Sequence, residues 1–468
     1  MRKAKLNLPL ASALLGLALA LAAPAGRPRA AEALPGELGT VRNDTLVVTL
    51  DKVTAAALAH NEMLAASEAM ADAARGDALG AWRGFLPRVQ AAEFFLRSDD
   101  ALSSFGFKLQ QRSVTQEDFY PPTLNDPGVA ENNITRLQLL QPIFNGGMAL
   151  YGKRAADAMA RAAGHDYRRA AQTVEFQAIQ AYEGLVLAKA YERVMLDATA
   201  AAEGHARQAQ SMVDAEMATE ADLLQARVYL AGVKQKLIEV RNLVAIAGEN
   251  IKLLTAVRTD LPLAPGDGFA DPALAPPVAA AGADPVARRP DVLARRQRAD
   301  AAGRMVGVAR GALLPHVNLS LQRDWFGQSL FANDATSWTL GVYATWDIFS
   351  GLEDWGRVKT SRAQKRAADH MYDFDLRRAR VEATQARLET GAAAEKVAVA
   401  REAVSAAREG LRIVTSQHRE GLASMVDLLD VQAAATGAEG NLVQALHDYN
   451  VGLARLSYTG AVTRAGEE

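Results

Sequence analysis

Trp338-Thr339-Leu340-Gly341-Val342-Tyr343-Ala344-Thr345-Trp346-Asp347-Ile348 alternates apolar and polar residues without a break, and Phe349-Ser350-Gly351 follows it directly. Strict alternation is the pattern of a strand with one greasy and one wet face, because successive side chains point to opposite sides. Upstream, Val317, Leu319 and Leu321 alternate with His316, Asn318, Ser320 and Gln322, so the two runs predict a strand pair. Downstream there is no proline after Pro315. Val397, Ala400, Val404, Ala407, Leu411 and Val414 keep the 3-4 spacing of a coiled-coil seam.

The same order occurs earlier in the chain. Ile143-Phe144-Asn145-Gly146 matches Ile348-Phe349-Ser350-Gly351, and Asp222-Leu223-Leu224 matches Asp427-Leu428-Leu429, both at a shift of 205 positions. Self-similarity at a fixed shift marks duplication. Arg88 to Leu96 and Asn133 to Phe144 are the corresponding, less regular strands, and Ser98 to Asn132 between them reads as a long polar loop rich in proline and glycine. The proline-free interval from Pro142 to Pro262 carries its own seam, Leu223, Ala226, Leu230, Val233, Leu237, Val240, Val244, Ala247, Ile251 and Leu254. Ile179, Tyr182, Val186, Ala190 and Val194 run 3-4-4-4, a stutter that unwinds a supercoil toward straight helices. A helix from Met148 to about Asp214 would be roughly 100 Å long and needs neighbours along its length. Before each strand pair a further helix is expected: Leu50 to about Gly84, with Thr49 as N-cap, ended by Phe85-Leu86-Pro87, and one opened by Arg289-Pro290-Asp291 and ended by Leu313-Leu314-Pro315.

The organisation expected is therefore a first repeat at 34–258, a Pro/Gly-rich irregular linker at 259–285, a second repeat at 286–460 and a short tail at 461–468. Residues 1–33 read as a secretory signal: Met1-Arg2-Lys3-Ala4-Lys5 is basic, Leu6 to Ala23 is apolar, and small-residue cleavage sites follow Ala22, Ala25 or Ala33. No later run approaches the roughly 20 apolar residues of a spanning helix, so a membrane segment would have to be built of strands. The absence of cysteine excludes disulfides and a lipidated cysteine, and 52 basic against 54 acidic residues offer no patch for nucleic acid. Seven scattered histidines make no metal-spaced cluster, and no nucleophile or phosphate-loop motif is present, so neither an enzyme nor a cofactor is expected.

Four strands are too few to enclose a lumen, and an open sheet edge cannot face lipid. Several chains are thus required. Trp338, Leu340, Val342, Trp346 and Ile348 form the expected lipid-facing side of the last strand, and its two tryptophans, roughly 26 Å apart, fit an aromatic girdle at each edge of an outer-membrane apolar band. Thr339, Tyr343, Thr345 and Asp347 would then wet the bore.

The order helix, Leu-Pro, strand pair, Ile-Phe-(Asn or Ser)-Gly and long helical hairpin, all duplicated, resembles the TolC-like outer-membrane efflux proteins over nearly the whole mature chain. The segments 221–227, 288–292 and 421–430 strengthen the likeness. The resemblance implies a mainly α chain with a small β part, in which duplicated helical hairpins form a coiled-coil tunnel and four transmembrane strands contribute to a trimeric 12-stranded β-barrel. It also implies a homotrimer in the outer membrane of a Gram-negative bacterium. This would be the passive exit duct of a tripartite efflux or type I secretion system, reached by an inner-membrane pump (RND or ABC type) through a periplasmic adaptor (membrane fusion protein). The competing reading is a periplasmic coiled-coil adaptor without its own pore, although such a protein has one hairpin flanked by small β-domains.

Opposite the strands, the hairpin turns should lie at the periplasmic tip, with Thr219 and Ser424 capping the returning helices. The resemblance assigns adaptor docking to Gly421, Leu422 and Ser424, and to Met217 and Thr219 at the first tip, where Met217 is read as replacing the glycine. Asp427 and Asp430, spaced i,i+3, share a helix face. In a trimer they would make two stacked carboxylate rings at the aperture, favouring cations and raising one another's proton affinity. The resemblance gives Asp222 a part in interhelix locking, while Ala423 stands where the family has a locking arginine. Acidic residues in a first helical turn also complement the helix dipole without any pore.

Overall fold

The computed structural model describes residues 33–271 and 285–461. Residues 1–32, and with them the expected signal, lie outside the described residues, as do 272–284 of the linker and 462–468 of the tail. The chain opens with a short helix α1 (Pro35–Leu38), strands β1 (Gly39–Arg42) and β2 (Thr45–Val48), then helices α2 (Leu50–His60) and α3 (Glu62–Gly80). The single helix expected from Leu50 is thus broken at Asn61. The cause is local: the Asn61 side chain accepts from Met63 N at 3.0 Å and Leu64 N at 3.1 Å, capping α3, and its amide also donates to Leu254 O at 3.1 Å. Thr49 occupies the N-cap position of α2 but makes no side-chain cap bond.

Strand β3 (Arg88–Ser98), helices α4 (Ala101–Gln111) and α5 (Pro121–Asn125), and strand β4 (Ala130–Asn145) follow. The polar loop expected over Ser98–Asn132 is therefore shorter and carries an 11-residue helix. Asp100 caps that helix through Ser103 N at 2.8 Å, and Gln111 ties its end to Glu131 O at 2.8 Å.

The first hairpin is α6 (Met148–Asp214), 67 residues, and α7 (Glu220–Thr255), 36 residues. After β5 (Leu263–Pro265), helix α8 (Pro290–Gly311), strands β6 (His316–Gly327) and β7 (Ala335–Thr345), and the second hairpin α9 (Glu353–Arg419) and α10 (Met425–Tyr458) repeat the order. Each long helix packs against the returning helix along one half and against a shorter helix along the other: α6 against α7, α3 and α8, and α9 against α10 and α8. Every residue of the Leu223–Leu254 and Val397–Val414 seams is buried or half-buried, so the 3-4 spacing identified the packed faces.

The linker is not wholly irregular. Its residues Leu263–Pro265 pair in parallel with β2, completing a three-stranded sheet ordered β1-β2-β5. From there the backbone crosses the helices as a strap. The Tyr182 hydroxyl on α6 accepts from Asp267 N at 3.1 Å, and Asn450 on α10 holds Ala270 at both N and O, at 3.0 and 3.1 Å. Arg401 on α9 pairs with Asp271 at 2.7 Å.

The two strand pairs join into one antiparallel sheet ordered β3-β4-β6-β7, through the register Gln138↔Gln322 and its neighbours in β4 and β6. Among the described residues β3 and β7 have no partner on their outer edges.

Candidate functional site: an amphipathic sheet and two helical tips

Register across the four strands sorts the side chains into two faces. Val89, Leu139, Leu321 and Leu340 stand in one row, and in the next Ala91, Leu137 and Trp338 share the face with Arg323, which lies between Leu137 and Trp338. These share a face because cross-strand partners point the same way. Gln90, Gln138, Gln322 and Thr339 make the corresponding row on the opposite face. There Arg136 binds Asp324 at 2.9 Å, Gln322 donates to Asp324 at 2.6 Å, and Gln138 donates to Ser320 at 3.3 Å. Over the rows nearest the helices one side of the sheet is mainly apolar and the other carries a hydrogen-bonded polar network; farther out Glu93, Thr135 and Arg323 stand on the first side and Ile134, Phe326 and Ala335 cluster on the second.

The expected lipid-facing residues divide between strand and flank. Trp338, Leu340 and Val342 lie in β7 and are exposed, Trp338 at 67% and Val342 at 68%. Trp346 and Ile348 are also exposed but lie beyond the end of β7 at Thr345, which corrects the expected strand. Strand geometry ends there because the last ladder partner, His316, is the first residue of β6, so Trp346 has nothing to pair with. The Trp346 indole instead donates to Leu313 O at 3.1 Å. The spacing of an in-strand aromatic pair accordingly does not hold, and Trp346 belongs to an exposed apolar belt with Phe85, Leu86, Leu314, Phe349 and Trp355 at the sheet–helix junction.

At the opposite end, both tips are built alike. At the second, Gly421 has φ 75°, Leu422 N donates to Gln417 O at 2.8 Å and Gly421 N to His418 O at 3.1 Å, a helix-ending turn with glycine in the left-handed position. At the first, Glu216 has φ 59° and Met217 N donates to Met212 O at 2.8 Å. Glu216, not Met217, therefore takes the place of the glycine. Met217 matches Leu422, and the two project to the same extent, 74% and 75% exposed.

The returning helices begin with reciprocal capping boxes. Thr219 Oγ1 donates to Asp222 at 2.7 Å while Asp222 N donates back at 3.3 Å, and Ser424 Oγ donates to Asp427 at 2.6 Å with Asp427 N returning at 3.1 Å. These bonds from Thr219 and Ser424 hold the Asp222 and Asp427 carboxyls below their ordinary range. Asp430 is exposed one turn on and has no such bond among the described residues. Within one chain Asp222 and Asp427 thus serve as caps, and Asp430 carries the uncommitted carboxylate. Beneath the tips, Leu223 and Ala226 of α7 and Ala209 of α6 pack on Met425, Leu428 and Leu429 of α10, so the two hairpins touch at their ends. His418 lies buried there, its ring Nδ1 3.0 Å from Ala423 O. Among the described residues no group of acidic and histidine side chains is arranged to hold a metal ion, and no helix is long and apolar enough to cross a membrane.

The family model described as outer membrane efflux protein matches residues 53–257 and 285–458. In fold, the chain is similar to the outer membrane channel CmeC of Campylobacter jejuni (18% identity, TM-score 0.78, 92% of this chain and 93% of that one). It is also similar to the outer membrane protein VceC of Vibrio cholerae (18% identity, TM-score 0.74, 88% and 96%) and to CusC (15% identity, TM-score 0.76, 94% and 99%). No curated protein matches the chain in sequence.

Proposed function

The chain belongs to the outer membrane efflux protein family, and from that premise we propose that three copies close one β-barrel and one helical tunnel, forming a passive exit duct from the periplasm through the outer membrane. The observation that carries this reading is the four-stranded sheet with two unpaired edges, mainly apolar on one face and polar on the other over the rows nearest the helices. Unpaired strand edges in hydrocarbon are too costly to persist, and strands from further copies are the simplest way to satisfy them. Exposed apolar residues along the helices, among them Val228, Ile238 and Leu253 on α7 and Phe374, Val381 and Leu388 on α9, suit contacts between copies.

Met217 and Leu422, projecting from matched turns beside Thr219, Gly421 and Ser424, suit docking of a periplasmic adaptor that delivers cargo from an inner-membrane RND or ABC pump, in drug or metal efflux or in type I secretion. The adaptor reading of the chain itself is favoured by no observation, since both hairpins come with strands of a single sheet. Asp430 from each copy, with Asp427 one turn nearer the tip, would place carboxylates around the aperture and favour cations.

Purified protein in planar bilayers is expected to form small cation-preferring pores that divalent cations block from the periplasmic side. Asp427→Asn with Asp430→Asn is expected to weaken that block, and Asp430→Asn alone to account for most of the change. Unaltered block in the double variant removes the carboxylate ring, whereas a protein that makes no pore and sediments as a soluble monomer removes the duct.

A further inference from the structure

A groove of about 740 Å³ runs between α3 and α6, just below the sheet–helix junction. Its lining includes Arg75 from α3, Trp82 from the 3-10 turn that follows it, and Lys153, Asp157, Arg161 and Arg168 from α6. Four cations and one carboxylate thus line the groove: Lys153 pairs with Asp157, Arg75 pairs with Asp72 at 2.5 Å, and Arg161 donates to Gln297 at 2.9 Å. His165, also in the lining, has its proton affinity lowered by burial and by the charges of Arg168 and Arg161, with Asp166 opposing them.

Lys153, Asp157, Gly164, Arg168 and Tyr182 are separated by 4, 7, 4 and 14 residues, all sums of three- and four-residue steps, so they lie along one stripe of α6. Tyr182 is where the strap passes, and a strap carrying a three-stranded sheet is too bulky for the inside of a tunnel. The stripe, and the groove on it, therefore faces the exterior. Lys153 is five residues beyond the start of α6 at Met148, or roughly 8 Å from the foot of the sheet.

Above the groove lie several exposed apolar side chains. Trp82, with Lys153 Nζ 5.3 Å from its ring centroid, touches Phe85 edge-on at 5.8 Å, and Leu86 and Val89 continue into the apolar face of β3. A cationic cleft below, an aromatic residue at the boundary and hydrocarbon above form the profile of a molecule with an anionic head and an acyl tail.

We propose that this groove binds the phosphate headgroup of an anionic phospholipid in the periplasmic leaflet of the outer membrane, with its chains lying against Phe85, Leu86 and Val89. Arg75 and Lys153 would share the phosphate, with Arg161 and Arg168 supplying the attracting field beneath. This rests on the barrel reading above.

The test uses full-length protein exchanged through detergent micelles containing equal amounts of phosphatidylglycerol and phosphatidylcholine, with retained lipid counted by mass spectrometry of the intact oligomer. Wild type is expected to retain phosphatidylglycerol preferentially, and raising the salt concentration to erode that preference without any mutation. Arg75→Gln with Lys153→Gln and Arg168→Gln should reduce retention about tenfold or more, while Lys236→Gln with Arg408→Gln and Arg412→Gln, far from the groove, should leave it unchanged. Equal retention of both lipids by wild type, or undiminished phosphatidylglycerol on the groove variant, overturns the proposal. Displacement of the lipid by inorganic phosphate at equal concentration likewise overturns it, since the groove would then be a free-phosphate site. Pore conductance of the groove variant separates the two readings: an intact pore with lost lipid preference supports the site, and absence of any pore in wild type removes the barrel beneath it.

Discussion

Arg136 of β4 and Asp324 of β6 meet at 2.9 Å on the polar face of the sheet, and each comes from a different repeat. The pair pins the seam at which the duplicated halves become one sheet. Asp324 is the more buried partner and also receives Gln322, so removing Arg136 leaves a carboxylate with one donor fewer. Arg136→Ala is expected to cost about 2 kcal/mol, seen as a lower dissociation temperature of the assembled protein on gels. Exchanging the charges, Arg136→Asp with Asp324→Arg, should recover at least half of the loss. Equal loss in the exchanged variant would mean that packing, not the pair, holds the seam.

Glu216 sits in a left-handed conformation that its partner position fills with Gly421. Side chains pay about 1 kcal/mol to adopt it. Glu216→Gly is expected to slow amide exchange at the first tip, and Gly421→Ala to hasten it at the second by a similar factor. No difference in exchange at either tip would show that the turns are held by contacts outside themselves.

Glu183 on α6 is 6% exposed, with one carboxylate oxygen buried and without a hydrogen-bond partner. Burial alone raises its affinity for a proton from the ordinary 4.5 to about 7. The fold tolerates the neutral acid, so the cost of this residue is absent below the ordinary value, grows as pH rises and is complete above about 7. Glu183→Gln should therefore raise thermal stability at pH 8 by on the order of 1–3 kcal/mol and change little at pH 4.5. A stabilisation that does not vary with pH would place the effect in packing.

What could be read from the residues, and what could not, follows from the distance over which each signal acts. Leu223 to Leu254 and Val397 to Val414 record their seams every three or four residues, and the long helix spans Met148–Asp214 as expected, inside an interval that lacks proline. The break at Asn61 was hidden because a long alanine-rich run outweighs one capping residue. Ala101–Gln111 was hidden because, beyond the Asp100 cap, it is held by Ser98, Gly128 and Glu131 rather than by a periodicity of its own. Leu263–Pro265 offers three residues and finds its partner in β2 more than 200 positions away, which no local pattern announces. At the tips, proximity in the chain suggested Met217 for the glycine position, and only the backbone dihedrals assign it to Glu216. The capping role of Asp222 and Asp427 was available from the Thr-x-x-Asp and Ser-x-x-Asp spacings, but a pore role drew on the same residues.

The bare margins of β3 and β7 carry a genetic consequence. If every working unit must recruit its siblings to seal those margins, a damaged subunit does harm in proportion to the company it keeps. Co-expressed with the normal gene, a version crippled at the tip yet able to assemble should spoil most of the ducts it joins and behave as a dominant allele. One unable to form the sheet should be silent and recessive.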